Sequence, residues 1–388
     1  MTDLTETPAA RAGKHVVFVP HETLGGVGGI QRYDRRMIEG LAAVLGAAGG
    51  RASVSARVEP DSAYRAPDGV ALEHADGSMA RLALRVAHRA RAGRADLVIL
   101  GHAQLAPVGL MLRRLPGAPT VALCVHGDDV WSIEPGRRPH PVRRAAIRSC
   151  ADLVFSVSRH TARRMREDYG LPAGRFRHLP NAIDTPGEAA RDPVARPADR
   201  PPRLLTVSRM DPHDARKGID VALEATARLV ERHPGLTHVV VGDGPERPTY
   251  EAMAERLGLG GVARFTGRID DAALNRLYAE SDLFVLPSSK EGFGIVFLEA
   301  WRQGLPVVCG NRDASCEVVT DGADGRTVDP HDPAAVAEGV ADILDRPDRG
   351  AALAAAGRRK IETVFSDAAF RRNLADLLDN RSGARVAA

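Results

Sequence analysis

Two runs of alternating β-strand and α-helix patterns, separated by one irregular segment, constrain the fold of this chain more than any other feature. Short apolar runs rich in β-branched residues are followed by longer stretches with helical periodicity, for example at 30–46 and 159–169. Near-continuous apolar strands are typical of parallel sheets that are covered on both faces. The strands are predicted at 14–20, 95–101, 120–127 and 151–158, and then at 203–208, 237–244, 262–267, 282–287 and 305–310.

The irregular segment predicts two domains joined by a linker. Residues 186–202 are rich in Pro, Ala and charge and have no periodicity. We expect Rossmann-like, doubly wound parallel sheets over 1–185 and 203–365, because 388 residues exceed what one hydrophobic core usually serves. Residues 366–388 are expected to form a helix that packs back on the first domain. Such sheets bind ligands beyond the carboxyl ends of their strands, so a cleft between facing domains is the expected site.

Charge and composition limit the partners of the chain. Residues 1–200 hold 29 Lys and Arg against 21 Asp and Glu, whereas the remainder holds 24 against 29. Basic clusters at 81–94 and 137–148 suit either an anionic membrane surface or a solvated helix face. No signal peptide, membrane span or nucleic-acid reader motif is recognised, which predicts a cytoplasmic protein, with peripheral contact at the inner membrane face left open. The four cysteines lack CxxC spacing and are expected to be reduced thiols.

The loop after the first strand is rich in glycine and leads into a helix. Gly25, Gly26, Gly28 and Gly29 lie between them. Glycines let backbone amides approach an anion closely, and a helix start adds positive potential. The two glycine pairs do not match the G-x-G-x-x-G pattern of dinucleotide sites. A phosphate-binding loop and a purely structural turn both remain open.

Two cations flank the loop after the first strand of the second domain. Arg209 could hold a diphosphate as a bidentate fork and Lys217 as a point charge, neutralising a leaving diphosphate without a metal. The alternative is a pair of solvent-exposed basic residues. Gly244 lies in a turn at another strand end and is a candidate ligand contact.

A histidine and two aspartates follow a strand of the first domain. His126 comes at the strand's carboxyl end, where a functional and a structural histidine are equally open. Asp128 and Asp129 are hard oxygen ligands, but no third ligand is evident and adjacent side chains diverge, so no metal site is predicted. Asp129 is retained as a candidate ligand contact.

The stretch "SSKEGFGIVFLEA" (288–300) places two glutamates around a predicted helix start. If the helix begins near Gly294, amides around Ile295 point outward toward phosphate oxygens. Glu299 is then placed to accept hydrogen bonds from a ribose, and Glu291 from the hydroxyls of a sugar beyond the phosphates. A site that binds a phosphate between two carboxylates suited to polyols would fit a nucleotide sugar.

These motifs resemble the family 4 retaining glycosyltransferases of GT-B fold. The similarity lies in the order and spacing of "GGIQRY", "VHGDDVW", "SRMDPHDARKGID", "EGFGIVFLEA" and "GLPVVCGNRDAS" and covers most of the chain. The subgroup that it most resembles acts in bacterial exopolysaccharide and glycoconjugate assembly. The family's GT-B fold consists of two Rossmann-like domains that face an inter-domain cleft.

The resemblance implies a role for each matching position. Glu291 would contact the donor sugar and His126 would assist near the transferred sugar, as catalytic residues. Glu299 would hold the ribose. The donor diphosphate would be bound by Arg209, Lys217, Gly28, Gly29, Gly294 and Ile295. Asn311 and Asp313, in a loop that departs from the family pattern, are further candidate ligand contacts.

The resemblance also implies the reaction. A hexose would pass from a nucleoside diphosphate sugar to an acceptor hydroxyl with retained configuration, without a metal or cofactor. The acceptor is expected to be a saccharide, a lipid-linked or a small molecule. Alternatives are glycosylation of a soluble natural product, a GT-B epimerase or phosphorylase, and a non-catalytic subunit that binds nucleotide sugars.

Overall fold

The protein, seen as a computed structural model, is described at residues 13–21, 24–25, 28–62, 64–131, 139–185, 193, 195–197 and 200–379. It divides into two compact units, Met1–Ala182 with Asp367–Ala388, and Ile183–Ser366. Each unit is built on one parallel sheet, which confirms the predicted class of two parallel α/β domains. Most of the predicted linker at 186–202, and residues 1–12, 26 and 380–388, lie outside the described residues.

The first unit contains a seven-stranded parallel sheet with the order β3-β2-β1-β4-β5-β6-β7. Its strands are β1 (His15–Val19), β2 (Arg51–Ala56), β3 (Ala71–His74), β4 (Leu97–Leu100), β5 (Thr120–Val125), β6 (Leu153–Ser156) and β7 (Phe176–His178). Its first six helices are α1 (Gly29–Gly46), α2 (Met79–Ala92), α3 (Ala106–Leu112), α4 (Asp128–Trp131), α5 (Pro141–Cys150) and α6 (Arg159–Tyr169). All of β1 is buried, as expected for a strand inside a parallel sheet.

The second unit contains a six-stranded parallel sheet with the order β10-β9-β8-β11-β12-β13. Its strands are β8 (Arg203–Val207), β9 (Thr237–Val241), β10 (Ala263–Gly267), β11 (Leu283–Leu286), β12 (Val307–Gly310) and β13 (Arg326–Val328). Its helices are α7 (Ile219–Leu229), α8 (Arg247–Arg256), α9 (Asp271–Glu280), α10 (Ile295–Arg302), α11 (Ser315–Val318), α12 (Pro333–Leu344) and α13 (Pro347–Lys360). No helix in the described part of the chain is long and apolar enough to cross a membrane.

A last helix, α14 (Asp367–Leu378), belongs to the first unit and packs against α1. The rings of Tyr33 and Phe370 meet edge to face at 5.7 Å between centroids. Arg36 donates a hydrogen bond of 2.8 Å to Asp367. The chain therefore returns from the second unit to the first at α14.

Every strand predicted from the sequence is present, with slightly narrower bounds, and the helices predicted at 30–46 and 159–169 are α1 and α6. Strands β2, β3, β7 and β13 are not predicted from the sequence. Strand β2 alternates apolar residues with serines although its last five residues are buried, so it lacks the continuous apolar run of a central strand. The other three have only three or four residues.

The loops at the carboxyl edge of the second sheet pack against one another through their backbones. At four glycines, an added Cβ would overlap a carbonyl group of the neighbouring loop, so no side chain fits there. These pairs are Gly218 with Pro287, Gly242 with Ser208, Gly244 with Met210, and Gly310 with Ser288. The loops after β8, β9, β11 and β12 are thereby held at fixed separations.

We expect Gly310→Ala to lower the free energy of unfolding by about 3 kcal/mol, because the new methyl group would force the loops after β11 and β12 apart. The φ of Gly310 lies outside the left-handed region, so the loss would report the overlap rather than backbone strain. Urea denaturation measures it. Gly174→Ala is the control, since an added Cβ there meets no atom within 4 Å, and should change stability by less than about 0.5 kcal/mol. Equal stability of both variants would contradict the close approach.

Candidate active site

The strand order of the second sheet reverses between β8 and β11, and open parallel sheets bind ligands at such a switch point. Arg209 and Lys217 lie in the loop that follows β8. Glu291 lies in the loop that follows β11 and leads into α10. Three residues predicted from sequence therefore occupy the two loops that flank the switch point.

Lys217 and Glu291 form an ion pair between these two loops. The Lys217 Nζ atom is 2.5 Å from Glu291 Oε1, and the two side chains are 14% and 13% exposed. Lys217 also donates to the carbonyl oxygen of Lys290 at 3.3 Å. A cation suited to a phosphate thus lies directly against a carboxylate suited to sugar hydroxyls.

Helix α10 begins at Ile295, immediately after Gly294. Gly294 has a φ of 91°, in the left-handed region that glycine adopts most readily. The Phe297 ring occupies the space that a side chain at Gly294 would need. The first amides of a helix have no acceptor within the helix and carry positive potential, so this end of α10 suits a phosphate.

Glu299 lies one turn inside α10 and is only 6% exposed. The hydroxyl of Tyr278, on α9, donates a hydrogen bond of 3.2 Å to Glu299 Oε2. Tyr278 is itself buried. The carboxylate of Glu299 is therefore hydrogen-bonded by a buried tyrosine that is not among the residues predicted from the sequence.

Arg209 is exposed, and its loop is fixed by the neighbouring loop after β9. Met210 donates its amide to the Asp243 carbonyl at 3.1 Å and accepts from the Glu246 amide at 3.0 Å. Gly244, a candidate ligand contact, lies between these two partners and makes the close backbone approach to Met210. The structure thus gives Gly244 a packing role beside the Arg209 loop.

The loop after β12 carries the last two candidates of this unit. Asn311 is exposed, whereas Asp313 is only 1% exposed. The Asp313 carboxylate accepts hydrogen bonds from the amides of Glu291, at 2.6 Å, and Ser315, at 2.9 Å. Burial, and secondly the nearby Glu291 carboxylate, raises the pKa of Asp313 to about 6. Asp313 thus faces the backbone of the Glu291 loop.

In the first unit, His126 follows β5 and is oriented by two contacts. Its Nε2 atom is 2.8 Å from the carbonyl oxygen of Gly101, which fixes the imidazole against the loop after β4. The Tyr33 ring meets it edge to face, with 4.7 Å between centroids. Its backbone amide donates to the Asp129 carboxylate at 2.9 Å. His126 is thus a positioned histidine at a strand end.

Two further histidines accompany His126 at the carboxyl edge of the first sheet. The rings of His21 and His102 stack at 4.0 Å, and those of His102 and His126 lie nearly parallel at 6.2 Å. His21 and His102 are not predicted from the sequence as site residues, although each closely follows an apolar strand, as His126 does. Asp129, a candidate ligand contact, is fully buried and lies 3.3 Å from the His102 Nε2 atom.

The glycine-rich loop places Gly28 just before α1 and Gly29 as its first residue. Gly25 packs against Asp61, where a side chain would overlap it. Gly28 and Gly29 are therefore the pair at the helix start, as an anion site there requires. Among the described residues, no cluster of three or more His, Cys, Asp or Glu side chains could hold a metal ion.

Solved structures with the same architecture define the class of this protein. Sucrose-phosphate synthase from Thermosynechococcus elongatus has a TM-score of 0.77 and 23% identity, over 95% of this chain and 98% of that one. Anabaena HepE, solved in complex with UDP, has a TM-score of 0.71 and 18% identity, over 95% of this chain and 100% of that one. The two parallel α/β sheets and these neighbours define a GT-B fold.

Sequence relatives then identify the family. The family model described as "Glycosyltransferase Family 4" matches residues 27–186, and the model described as "Glycosyl transferases group 1" matches residues 190–360. A GDP-mannose-dependent alpha-(1-6)-phosphatidylinositol monomannoside mannosyltransferase from Mycolicibacterium smegmatis is 35% identical, over 76% of this chain and 80% of that protein. Its Mycobacterium tuberculosis counterpart is 32% identical, over 75% and 78%. The chain belongs to the family 4 glycosyltransferases, as its motifs indicate.

Proposed function

We propose that the chain transfers mannose from GDP-mannose to a hydroxyl of a lipid-linked saccharide, with retention of the anomeric configuration. The observation that carries the proposal is the contact between Lys217 and Glu291 at the switch point of the second sheet. It joins a phosphate-binding cation to a sugar-binding carboxylate, the two chemistries of a nucleoside diphosphate sugar. The printed names of the mycobacterial relatives support the choice of GDP-mannose and of a lipid-linked acceptor.

In the proposed donor site, four groups of protein atoms contact different parts of the nucleotide sugar. Arg209 and Lys217 neutralise the diphosphate, and the amides of Gly294 and Ile295 at the start of α10 donate to its oxygens. Glu299 accepts hydrogen bonds from the ribose hydroxyls. Glu291 exchanges its contact with Lys217 for the hydroxyls of the transferred sugar. Because the cations already balance the diphosphate, we propose that transfer needs no metal.

The proposed reaction is a substitution on one face of the sugar. The bond between the anomeric carbon and the β-phosphate oxygen breaks as the acceptor oxygen bonds to the same carbon. The acceptor proton passes to the departing phosphate oxygen, so atoms and charge balance without a covalent intermediate. Arg209 and Lys217 stabilise the charge that grows on the diphosphate. A catalytic role for His126 is part of the proposal on the ground of the family resemblance.

A basic surface on α2 supports contact with an anionic membrane, where a lipid-linked acceptor would lie. Arg81, Leu84, Arg85 and His88 recur at helical spacing, and all four are exposed, Leu84 by 66%. An exposed leucine among cations is the pattern of a helix that rests on a lipid surface. Part of this charge is balanced locally, since Arg81 bonds Asp76 at 3.0 Å.

We expect the protein to float with vesicles of phosphatidylcholine and phosphatidylglycerol but not with phosphatidylcholine alone. Arg81→Glu with Arg85→Glu should reduce the floated fraction strongly, since each basic residue near such a surface contributes about 1 kcal/mol. Arg228→Glu, at an exposed site on α7, is the control and should float like the parent. Flotation that is unaffected by the α2 substitutions would contradict this surface.

A donor panel tests the proposed reaction. Among UDP, GDP and ADP, GDP should raise the melting temperature most, and labelled mannose should pass from GDP-mannose to a mycobacterial glycolipid extract in the presence of EDTA. NMR of the product should show an α-linkage. Free mannose or an epimerised nucleotide sugar formed without acceptor would favour a different GT-B enzyme. Binding without any turnover across the panel would favour a non-catalytic subunit.

Substitutions at the ion pair should separate sugar recognition from diphosphate binding. Glu291→Gln should lower kcat by about 100-fold with little change in the Kd of GDP, because in the proposed donor complex the carboxylate contacts the sugar and not the nucleotide. Lys217→Ala should weaken GDP binding about tenfold, equivalent to about 1.4 kcal/mol. Calorimetry and steady-state kinetics measure both. Glu280→Gln, which removes a carboxylate that bonds Arg203 at 2.7 Å, is the matched control. Unchanged transfer by Glu291→Gln would remove the sugar role.

A further inference from the structure

Asp313 joins the loop after β12 to the loop that carries Glu291. One carboxylate oxygen accepts the Glu291 amide at 2.6 Å, and the other accepts the Ser315 amide at 2.9 Å. In return, the Ala314 amide donates to the Glu291 carbonyl at 3.2 Å. Both main-chain polar groups of Glu291, its N–H and its C=O, are therefore hydrogen-bonded by Asp313 and Ala314.

We propose that ionised Asp313 is the positioning residue that sets the direction of the Glu291 side chain toward the donor sugar, and that protonation of Asp313 releases it. The inference rests on the proposed role of Glu291. An ionised carboxylate only accepts hydrogen bonds, so it satisfies two amide donors at once. A protonated one turns a hydroxyl toward one of those N–H groups and loses that hydrogen bond.

The surroundings of Asp313 oppose its charge. The Glu291 carboxylate faces it from the loop after β11, and that carboxylate is in turn paired with Lys217 at 2.5 Å. Cys309, at the end of β12, is buried nearby, and Cys316 on α11 donates its thiol to the Asp313 carbonyl at 3.0 Å. The Ser315 hydroxyl and the backbone amides of Ser315 and Glu291 are the groups that favour the charged form.

Burial is the first reason that the pKa of Asp313 rises from 3.8 to about 6, and repulsion from Glu291 is the second. The neighbouring cation, Arg312, is exposed and bonds Asp329 at 2.7 Å. A raised folded-state pKa means that ionised Asp313 lowers stability, fully so above pH 6 and not below the unfolded pKa. The fold thus keeps a charge that its stability does not require, which is typical of a functional site.

Asp313→Asn therefore separates positioning from structural support. The neutral side chain loses one amide hydrogen bond but removes a buried charge, so its melting temperature should stay within about 4 °C of the parent. Its kcat/KM for the nucleotide sugar should fall about tenfold or more, because the Glu291 carboxylate is misdirected. The Kd of GDP should not change.

The matched control is Asp324→Asn. Asp324 is also buried, accepts the Thr320 amide at 2.7 Å and pairs with Lys360 at 2.7 Å, but no hydrogen bond joins it to the Glu291 loop within the described residues. This variant should lose melting temperature while its kcat/KM keeps the pH profile of the parent. A loss of stability alone is thereby distinguished from a loss of positioning.

The effect of pH is measured on two properties, the NMR resonance of the Glu291 amide and the value of kcat/KM. In the parent, the amide resonance of Glu291 should titrate with a midpoint near pH 6 in ¹H–¹⁵N NMR spectra, and kcat/KM should fall as the pH drops through the same range. Asp313→Asn should abolish the titration of that amide. It should also abolish the corresponding part of the fall in kcat/KM at low pH. Because histidine side chains in general titrate in a similar pH range, the decisive feature is the loss of this fall in kcat/KM in the Asp313→Asn variant.

The outcomes distinguish a failure of the positioning role from a failure of the proposed function. If the Glu291 amide does not titrate near pH 6, or if Asp313→Asn keeps the parent's kcat/KM and acid limb, the positioning role is wrong. If the amide titrates as expected but no nucleotide sugar is turned over, the link between Asp313 and Glu291 stands and the proposed function fails instead.

Discussion

Backbone contact between the loops after β8, β9, β11 and β12 is the constraint on which the rest of the second unit depends. At four glycines of this edge no side chain fits against the facing carbonyl group, so the loops pack at the distance of touching peptide groups. Their geometry is therefore set by the parallel sheet beneath them. Rigid placement of this kind lets a site bind a charged ligand without first ordering its own loops.

The charged residues of the site follow from that constraint. Lys217 reaches Glu291 because β8 and β11 are neighbours in the sheet, and Asp313 reaches the Glu291 amide because β11 and β12 are neighbours. A cation, a carboxylate and a second, buried carboxylate thus line up across three adjacent loops. A fixed cation is well suited to a leaving diphosphate, because its charge needs no reorganisation as the bond breaks.

The sequence predicts which loops carry the chemistry but not which residues meet. Arg209, Lys217 and Glu291 are recognisable because each follows an apolar strand. The family that their motifs resemble is confirmed by the family models that match residues 27–186 and 190–360. Lys217 and Glu291 lie 74 positions apart, and their contact depends on the sheet order, which strand patterns alone do not give. The enclosure of Asp313 likewise depends on loops from two strands. His21 and His102 carried the same strand-end signal as His126 and were overlooked.

We propose that Glu291 binds the transferred sugar while Lys217 turns to the diphosphate, within loops that hardly move. A crystal structure with a fluorinated, non-transferable GDP-mannose tests it most directly. We expect the Glu291 carboxylate to contact a sugar hydroxyl and the Lys217 ammonium to contact a phosphate oxygen, with backbone shifts below about 1 Å in the four loops. An intact contact between Lys217 and Glu291, with the sugar bound elsewhere, would contradict it.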